Sequence, residues 1–175
     1  MGKLAFLFPG QGAQVVGMGK DFFDAYDLAK KRFAEADEAL GYSISKLCFE
    51  GPADQLQLTE HTQPAILTVA VIASELLRAE GIAPEIAAGH SLGEYAALVA
   101  AGVLSFQDAV LLVHKRGAYM QEAVPVGEGA MAAVIGLDDE TIIAVCAEAS
   151  TVGAVQAVNF NCPGQTVIAG AEKGV

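Results

Sequence analysis

The pentapeptide Gly89-His90-Ser91-Leu92-Gly93 stands between a short apolar stretch, residues 85–88, and an apolar segment that runs to about Ala101. It matches the pattern Gly-x-Ser-x-Gly, in which a serine occupies a sharp turn from a strand into a helix with its hydroxyl exposed. Glycines flank the serine because a side chain there would collide with neighbouring backbone. The pentapeptide therefore predicts a strand–turn–helix unit with Ser91 as a nucleophile. The alternative is a serine that caps the helix N-terminus between incidental glycines.

Strands and helices alternate on both sides of this unit. Residues 4–8 are continuously apolar, which is typical of a parallel strand buried on both faces. Apolar spacing and start signals predict helices at 22–40, from Gln63-Pro64 to about Gly81, and from the capping box Ser105/Asp108 to about Glu122. The pattern predicts an α/β subdomain with a parallel sheet.

The pattern changes after Pro125, Gly127 and Gly129, which interrupt the chain. The following residues predict a strand at 131–137, a helix at 139–149, a strand at 155–161 and a strand at 166–169. This order is β-α-β-β, the beginning of a split βαβ unit. We therefore expect two subdomains, residues 1–126 and 127–175.

Composition excludes several classes of protein. The 175 residues carry a net charge of −11, which disfavours binding to a polyphosphate backbone. No apolar run reaches the roughly 18 residues that a membrane span needs, and we expect a cytoplasmic protein. Cys48, Cys146 and Cys162 show no paired spacing with one another or with the three histidines. A disulfide framework or a metal site is therefore not expected.

A second loop has the composition of an oxyanion pocket. Gly10-Gln11-Gly12 follows the first strand, and parallel strands end at the same edge of their sheet, so this loop should lie near Ser91. Gln11 and the backbone N–H of Leu92 are then candidate donors to the oxygen of an attacked carbonyl. A glycine loop that merely faces solvent is an equally acceptable interpretation of this segment alone.

Arg116 shares the apolar face of the last predicted helix with Leu112 and Met120. Such a cation either pairs with a structural partner or binds an anionic ligand, for which a guanidinium suits a carboxylate. The residues alone favour the structural partner. His90 should point away from its neighbour Ser91, and neither His61 nor His114 is marked as a general base.

Several separated motifs together resemble the malonyl-CoA:acyl carrier protein transacylases of bacterial fatty acid synthesis. They are Phe8-Pro9-Gly10-Gln11-Gly12, Gly17-Met18-Gly19, Thr62-Gln63-Pro64-Ala65, Gly89–Tyr95, Arg116-Gly117, Met120-Gln121, Val158–Asn161 and Pro163-Gly164-Gln165. The likeness extends over the whole chain in the family's own order, and it indicates the N-terminal portion of such an enzyme.

The resemblance implies an α/β-hydrolase-like large subdomain and an inserted ferredoxin-like small subdomain. It makes Ser91 the acyl-bearing nucleophile, Gln11 and Leu92 the oxyanion donors and Arg116 the partner of the malonyl carboxylate. It also places His90 and Asn161 near the site. No cofactor or metal is implied, since the coenzyme A thioester is a substrate. The implied partner is acyl carrier protein, which would be recognised by a basic patch containing either Lys115 or the cluster Lys30–Arg32.

The sequence departs from the family in length. The family's catalytic histidine lies in a downstream segment that this sequence does not contain. The expectation is either a fragment without turnover or a second chain that supplies the remainder. Two alternatives accompany the transacylase interpretation: a serine esterase or thioesterase that passes the acyl group to water, and a catalytically inert fragment.

Overall fold

A computed structural model describes residues 3–124 and 127–175. The chain divides into two compact units, Met1–Gln121 and Glu122–Val175. Pro125 and the predicted boundary after residue 126 lie outside the described residues. The secondary structure combines helices with a parallel and an antiparallel sheet, which confirms the predicted α/β class.

The described part of the first unit contains two strands and the helices that surround them. In chain order these elements are β1 (Ala5–Phe8), α1 (Lys20–Ala25), α2 (Asp27–Leu40), α3 (Ile44–Glu50), α4 (Ala53–Gln57), α5 (Thr59–Ala79), β2 (Ile86–Gly89), α6 (Gly93–Ala100) and α7 (Phe106–Ala123), whose last two residues belong to the second unit. β1 and β2 pair in parallel, from Ala5 opposite Ile86 to Phe8 opposite Gly89. Both strands therefore end at one edge of the sheet, as predicted.

The core of the first unit is formed mainly by helix faces. Phe33, Leu67 and Val110 are fully buried, one each from α2, α5 and α7. The Phe33 ring packs edge-on against Phe23 and Phe49, with ring centroids 5.9 and 4.9 Å apart. These contacts fix α2 against α1 and α3.

The predicted single helix over 22–40 is wrong at one residue. Tyr26 has an extended backbone, with φ −129° and ψ 127°, and it separates α1 from α2. The tertiary contact between Phe23 and Phe33 outweighs the continuous helical spacing, because the bend brings the two rings together. α3 and α4, of 7 and 5 residues, were not predicted, since so few residues show no clear periodicity.

The helix predicted to open at Gln63-Pro64 begins earlier, at Thr59, so Pro64 lies inside α5. Proline has no N–H and leaves the carbonyl four residues before it without its helical donor. That carbonyl belongs to Glu60, and it lies 3.1 Å from Nδ1 of His114 on α7. A contact between two helices thus replaces the missing bond, which explains how the proline is accommodated.

The second unit consists of β3 (Gly129–Ile135), α8 (Asp139–Ala149), β4 (Val155–Cys162) and β5 (Gln165–Ala171). The strands form an antiparallel sheet in the order β3-β5-β4. Asp138 caps α8 by accepting from the backbone N–H of Thr141, and Ile142 packs beneath the helix against Val155. The predicted β-α-β-β order is confirmed, with element ends that differ by at most two residues.

Within residues 3–124 and 127–175, the structure contains no helix that combines the length and the apolar composition of a membrane span.

Gly117 provides a stability test of the α5–α7 contact. A Cβ on Gly117 would lie 2.6 Å from both the Cα of Glu60 and the carbonyl oxygen of Thr59. We expect Gly117→Ala to lower the free energy of unfolding by about 1–3 kcal/mol despite the better helix propensity of alanine. Urea unfolding followed by circular dichroism measures this change. Gln107→Ala, at an exposed position of α7, serves as the control and should stay within about 0.5 kcal/mol. An equal effect of both substitutions would contradict the close helix contact.

Candidate active site

Ser91 occupies a strained turn between β2 and α6. Its φ is +54°, and within the described residues it is the one non-glycine residue with a positive φ. The turn is closed by hydrogen bonds from the Gly93 N–H to the His90 carbonyl, 2.9 Å, and from the Glu94 N–H to the Ser91 carbonyl, 3.1 Å. The serine is exposed. This geometry, a left-handed residue at the end of a strand and the start of a helix, is that of a nucleophile elbow.

The two glycines that flank Ser91 are required by close backbone contacts. A Cβ on Gly89 would overlap the carbonyl group of Gly93, and a Cβ on Gly93 would overlap the carbonyl oxygen of Phe8. A side chain at position 89 would therefore open the turn itself, and one at position 93 would force the turn away from β1. The expected reason for the glycines is therefore confirmed, and the incidental-glycine alternative is not.

The loop after β1 lies beside the Ser91 turn. The His90 N–H donates to the Phe8 carbonyl at 3.0 Å, and a Cβ on Gly10 would lie 2.8 Å from both the carbonyl oxygen and Nδ1 of His90. The His90 ring is thus packed towards the Gly10 loop, which agrees with the expectation that it points away from Ser91. The solvent-facing alternative is wrong for Gly10, whose lack of a side chain lets the two loops touch.

The two candidate oxyanion donors differ in their present contacts. Leu92 is the N-cap of α6, so its backbone N–H lies at the positive end of that helix. The exposed side chain of Gln11 donates from Nε2 to the hydroxyl of Thr59 at 3.3 Å. That long contact ties Gln11 to the first residue of α5 and does not by itself establish an oxyanion role.

Arg116 projects from α7 to the hydroxyl of Ser91. Its Nη2 donates to Oγ of Ser91 at 3.0 Å, and its Nη1 donates to Oε1 of Gln63 at 2.6 Å. Both partners are neutral, and Arg116 takes part in no ion pair within the part of the chain that the structure describes. The structural pairing that the residues alone favoured therefore lacks a carboxylate. A half-buried guanidinium with neutral partners is suited to receive an anionic ligand.

Gln63 is a site residue that the sequence analysis did not identify. It is fully buried near the N-terminus of α5, and its Nε2 donates to the sulfur of Met120 at 3.4 Å while its Oε1 accepts from Arg116. The available signal was a polar amide beside Pro64 within an otherwise apolar helix face. The sequence predicts the start of a helix there and includes Gln63 in one motif of the family resemblance, but it assigns no role to this side chain.

His61 and His114 are engaged locally. Nδ1 of His61 lies 2.9 Å from the carbonyl oxygen of Gln55, and both imidazole rings pack against the ring of Tyr42, with centroids 5.4 and 5.8 Å away. Burial raises the pKa of the Tyr42 hydroxyl well above its usual range. Neither histidine contacts Ser91 through these bonds, which agrees with the expectation that they are not the general base.

Asn161 belongs to the second unit. It lies on β4, where its Nδ2 is 3.2 Å from Oε1 of Gln165 and is exposed. Its placement near Ser91 stays a prediction.

Cys48 and Cys162 lie in different environments. Burial raises the pKa of the Cys48 thiol to about 12, so this thiol is protonated and shielded at neutral pH. Cys162 is exposed on the second unit. No group of three or more potential metal-ligating side chains occurs within residues 3–124 and 127–175.

The acyl transferase domain family matches residues 5–175 of the sequence. The chain belongs to the acyl transferase domain family. The match includes both units and every residue of the site described above. It agrees with an exposed serine on a nucleophile elbow, which is one geometry that presents a serine hydroxyl for acyl transfer.

Curated relatives and solved structures specify the kind of acyl transferase that this chain is similar to. It is 54% identical to the malonyl CoA-acyl carrier protein transacylase of Bacillus subtilis (strain 168) over 176 residues, covering 100% of this chain and 56% of the relative. It is 53% identical to the malonyl CoA-acyl carrier protein transacylase of Escherichia coli (strain K12), covering 100% of this chain and 57% of the relative. The chain thus spans about half the length of the curated relatives it matches.

Solved structures give the same picture. The acyl-carrier-protein S-malonyltransferase of Burkholderia pseudomallei 1710b matches with a TM-score of 0.90 and 55% identity, over 99% of this chain and 56% of that chain. A malonyl-transacylase in complex with its type II PKS acyl-carrier protein matches with a TM-score of 0.92 and 47% identity. The match covers 99% of this chain and 56% of that chain. These matches confirm the fold that the resemblance implied.

The backbone strain at Ser91 can be measured by comparing two substitutions. Ser91→Gly and Ser91→Ala both remove the hydroxyl and its bond to Arg116, but only glycine tolerates a φ of +54° without cost. We expect the glycine variant to be more stable than the alanine variant by about 1 kcal/mol in urea unfolding. At exposed Ala34, in the middle of α2, the order should reverse, with Ala34→Gly less stable than the unmodified alanine by about 0.5–1 kcal/mol. The same order at both positions would rule out the strained turn.

Proposed function

We propose that this chain carries the nucleophile and the carboxylate receptor of an enzyme that transfers a malonyl group from coenzyme A to the phosphopantetheine thiol of acyl carrier protein. The observation that carries the proposal is the guanidinium of Arg116, which reaches Oγ of Ser91 at 3.0 Å and has neutral partners. A cation adjacent to a serine nucleophile suits an acyl group with a free carboxylate. The names and identities of the relatives support the same substrate class.

The first half-reaction forms a seryl ester. Oγ of Ser91 attacks the thioester carbonyl, the carbonyl electrons move to the oxygen, and that charge is held by the N–H of Leu92 with a second donor from Gln11. Collapse of the tetrahedral intermediate expels the coenzyme A thiolate, which takes up a proton. The proton lost by Ser91 requires a base, which the family resemblance assigns to a histidine that this sequence does not contain.

The second half-reaction returns the enzyme to its starting state. The phosphopantetheine thiol attacks the seryl ester, the same donors hold the oxyanion, and Ser91 leaves with a proton. The malonyl group ends as a thioester on the carrier protein, so no redox step and no cofactor is needed. We place this reaction in the cytoplasm, together with its coenzyme A and carrier-protein substrates.

Recognition of acyl carrier protein requires a local basic patch on an acidic chain. The cluster Lys30–Arg32 is a weak candidate because its three side chains pair with the carboxylates of Asp27, Glu35 and Glu75. Lys115 is exposed next to Arg116 on α7 and is the better candidate. The solved complex of a related malonyl-transacylase with its acyl-carrier protein supports this class of partner.

A serine thioesterase or esterase is the alternative function. Such an enzyme would pass the acyl group to water and would need a triad acid to orient its base. The position of Arg116 and the identities to the transacylases favour transfer over hydrolysis.

Acylation of Ser91 tests the proposal directly. The chain is incubated with malonyl-CoA, and its intact mass and its peptides are analysed. We expect one malonyl adduct on the peptide of Ser91, formed slowly because the assigned base lies outside this sequence, and none on Ser91→Ala. Neutral hydroxylamine cleaves a thioester on exposed Cys162 but spares an oxygen ester, so it separates the two adducts. Rapid release of free malonate instead supports the hydrolase, and no adduct with no release supports the inert fragment.

Arg116→Ala tests the carboxylate receptor. A charge-assisted contact contributes roughly 1.5–3 kcal/mol, so its loss should lower the preference for malonyl-CoA over acetyl-CoA by about one to two orders of magnitude. The measurement is the ratio of second-order acylation rates for the two thioesters. Lys31→Ala, an exposed cation on α2, is the control and should leave the ratio unchanged. An unchanged ratio in Arg116→Ala would contradict the assignment.

A further inference from the structure

We infer that Gln63 is the positioning residue that makes Arg116 selective for acyl groups with a free carboxylate. This inference rests on the proposed function, and it assigns a separate role to a residue that does not touch the nucleophile. Oε1 of Gln63 accepts from Nη1 of Arg116 at 2.6 Å, and Nη2 of the same guanidinium donates to Oγ of Ser91. Gln63 therefore holds Nη1 of the guanidinium, while Nη2 points at Oγ of Ser91, the reacting atom.

The orientation of the Gln63 amide is determined by its partners. A guanidinium carries only donors, so the amide must present its oxygen to Arg116. Its nitrogen then faces the sulfur of Met120 at 3.4 Å, which is a weak acceptor. The side chain is fully buried, and a flipped amide would place its own N–H groups against the guanidinium. One amide orientation thus fixes the direction of the arginine.

The first turn of α5, three residues before Gln63, contacts α7 at two further points. Gly117, next to Arg116, lies against the backbone of Glu60 because it has no side chain. The Glu60 carbonyl lies 3.1 Å from Nδ1 of His114, two residues before Arg116. The segment of α5 that carries Gln63 is therefore secured to the segment of α7 that carries Arg116, on both sides of the arginine.

The neutrality of Gln63 is as important as its position. A glutamate there would also accept from Nη1, but its carboxylate would neutralise the guanidinium from within the protein. An incoming acyl carboxylate would then have to compete with that internal pair. Glutamine orients the arginine and leaves its positive charge available, so this amide sets both the geometry and the charge of the receptor.

The positioning step can be tested without enzymatic activity. In the ¹⁵N-labelled chain, the side-chain Nε signal of Arg116 is identified by its loss in Arg116→Lys, and rotation about its Nε–Cζ bond is measured by NMR. We expect slow rotation in the unmodified chain and rotation at least severalfold faster in Gln63→Met, which keeps the length of the side chain but loses the acceptor. Gln107→Met, on the exposed face of α7, is the matched control and should leave the rate unchanged. Equal rates in Gln63→Met and the unmodified chain would overturn the inference.

The selectivity step uses acylation of Ser91 by malonyl-CoA and acetyl-CoA. We expect Gln63→Glu to lower the malonyl-to-acetyl ratio roughly tenfold or more, mainly through slower malonyl transfer, and Gln63→Met to lower it less. In an Arg116→Ala background neither substitution should change the ratio further. Equal losses for both thioesters, or additive losses in that background, would show a merely structural role and overturn the selectivity claim.

The two experiments separate this inference from the proposed function. If the unmodified chain is not acylated at all, the proposed function fails for this chain, and the NMR measurement alone decides whether Gln63 positions Arg116. If Ser91 is acylated and the substitutions at Gln63 change neither the rotation nor the ratio, the proposed function stands and the role of Gln63 is refuted.

Discussion

The parallel pairing of β1 with β2 is the constraint on which the site depends. It brings the ends of both strands to one edge of the sheet, so that the loop after β1 and the turn after β2 meet. Contact between them is possible only because Gly10 and Gly93 have no side chains where the two segments approach, and Gly89 allows the turn itself to close. A shift of the pairing by one residue would turn every side chain of the strand to the opposite face and would move the turn away from the loop. The Ser91 turn is thus placed by backbone geometry, before any side chain contributes.

The packing of α5 against α7 adds the second component of the site. β2 and α6 deliver the hydroxyl, whereas the guanidinium comes from a helix whose position is fixed by its neighbour. The strained turn at Ser91 and the tight packing of α5 against α7 together place Oγ of Ser91 and Nη2 of Arg116 3.0 Å apart. This arrangement is consistent with a site in which a rigid turn carries the reacting group and a neighbouring helix supports the charge that selects the substrate.

The sequence predicted the elements of this fold wherever the local pattern and the tertiary structure agree. Strand ends, the capping box at Ser105 and Asp108, and the elbow at Ser91 all follow from short-range chemistry that the structure retains. The break at Tyr26 and the early start of α5 were missed because long-range contacts decide them. Arg116 was identified as a candidate, but its neutral partners could not be inferred, since Gln63 is 53 residues away in the chain. The distance from Ser91 to Asn161 concerns two separate units, and the sequence alone supports only a prediction for it.

Pro64 shows how an atom that is absent from one residue can determine a contact elsewhere. Proline is usually regarded as a residue that interrupts helices, and here it sits inside one. Because Pro64 has no N–H, the carbonyl of Glu60 lacks its helical donor within α5. The imidazole of His114 on α7 takes the place of that donor. Any other amino acid at this position would supply the hydrogen again, and the Glu60 carbonyl would then have a donor within α5 in addition to the one from α7. Pro64 therefore helps to fix the position of α5 against α7. The residue before it, Gln63, carries the amide that holds Arg116.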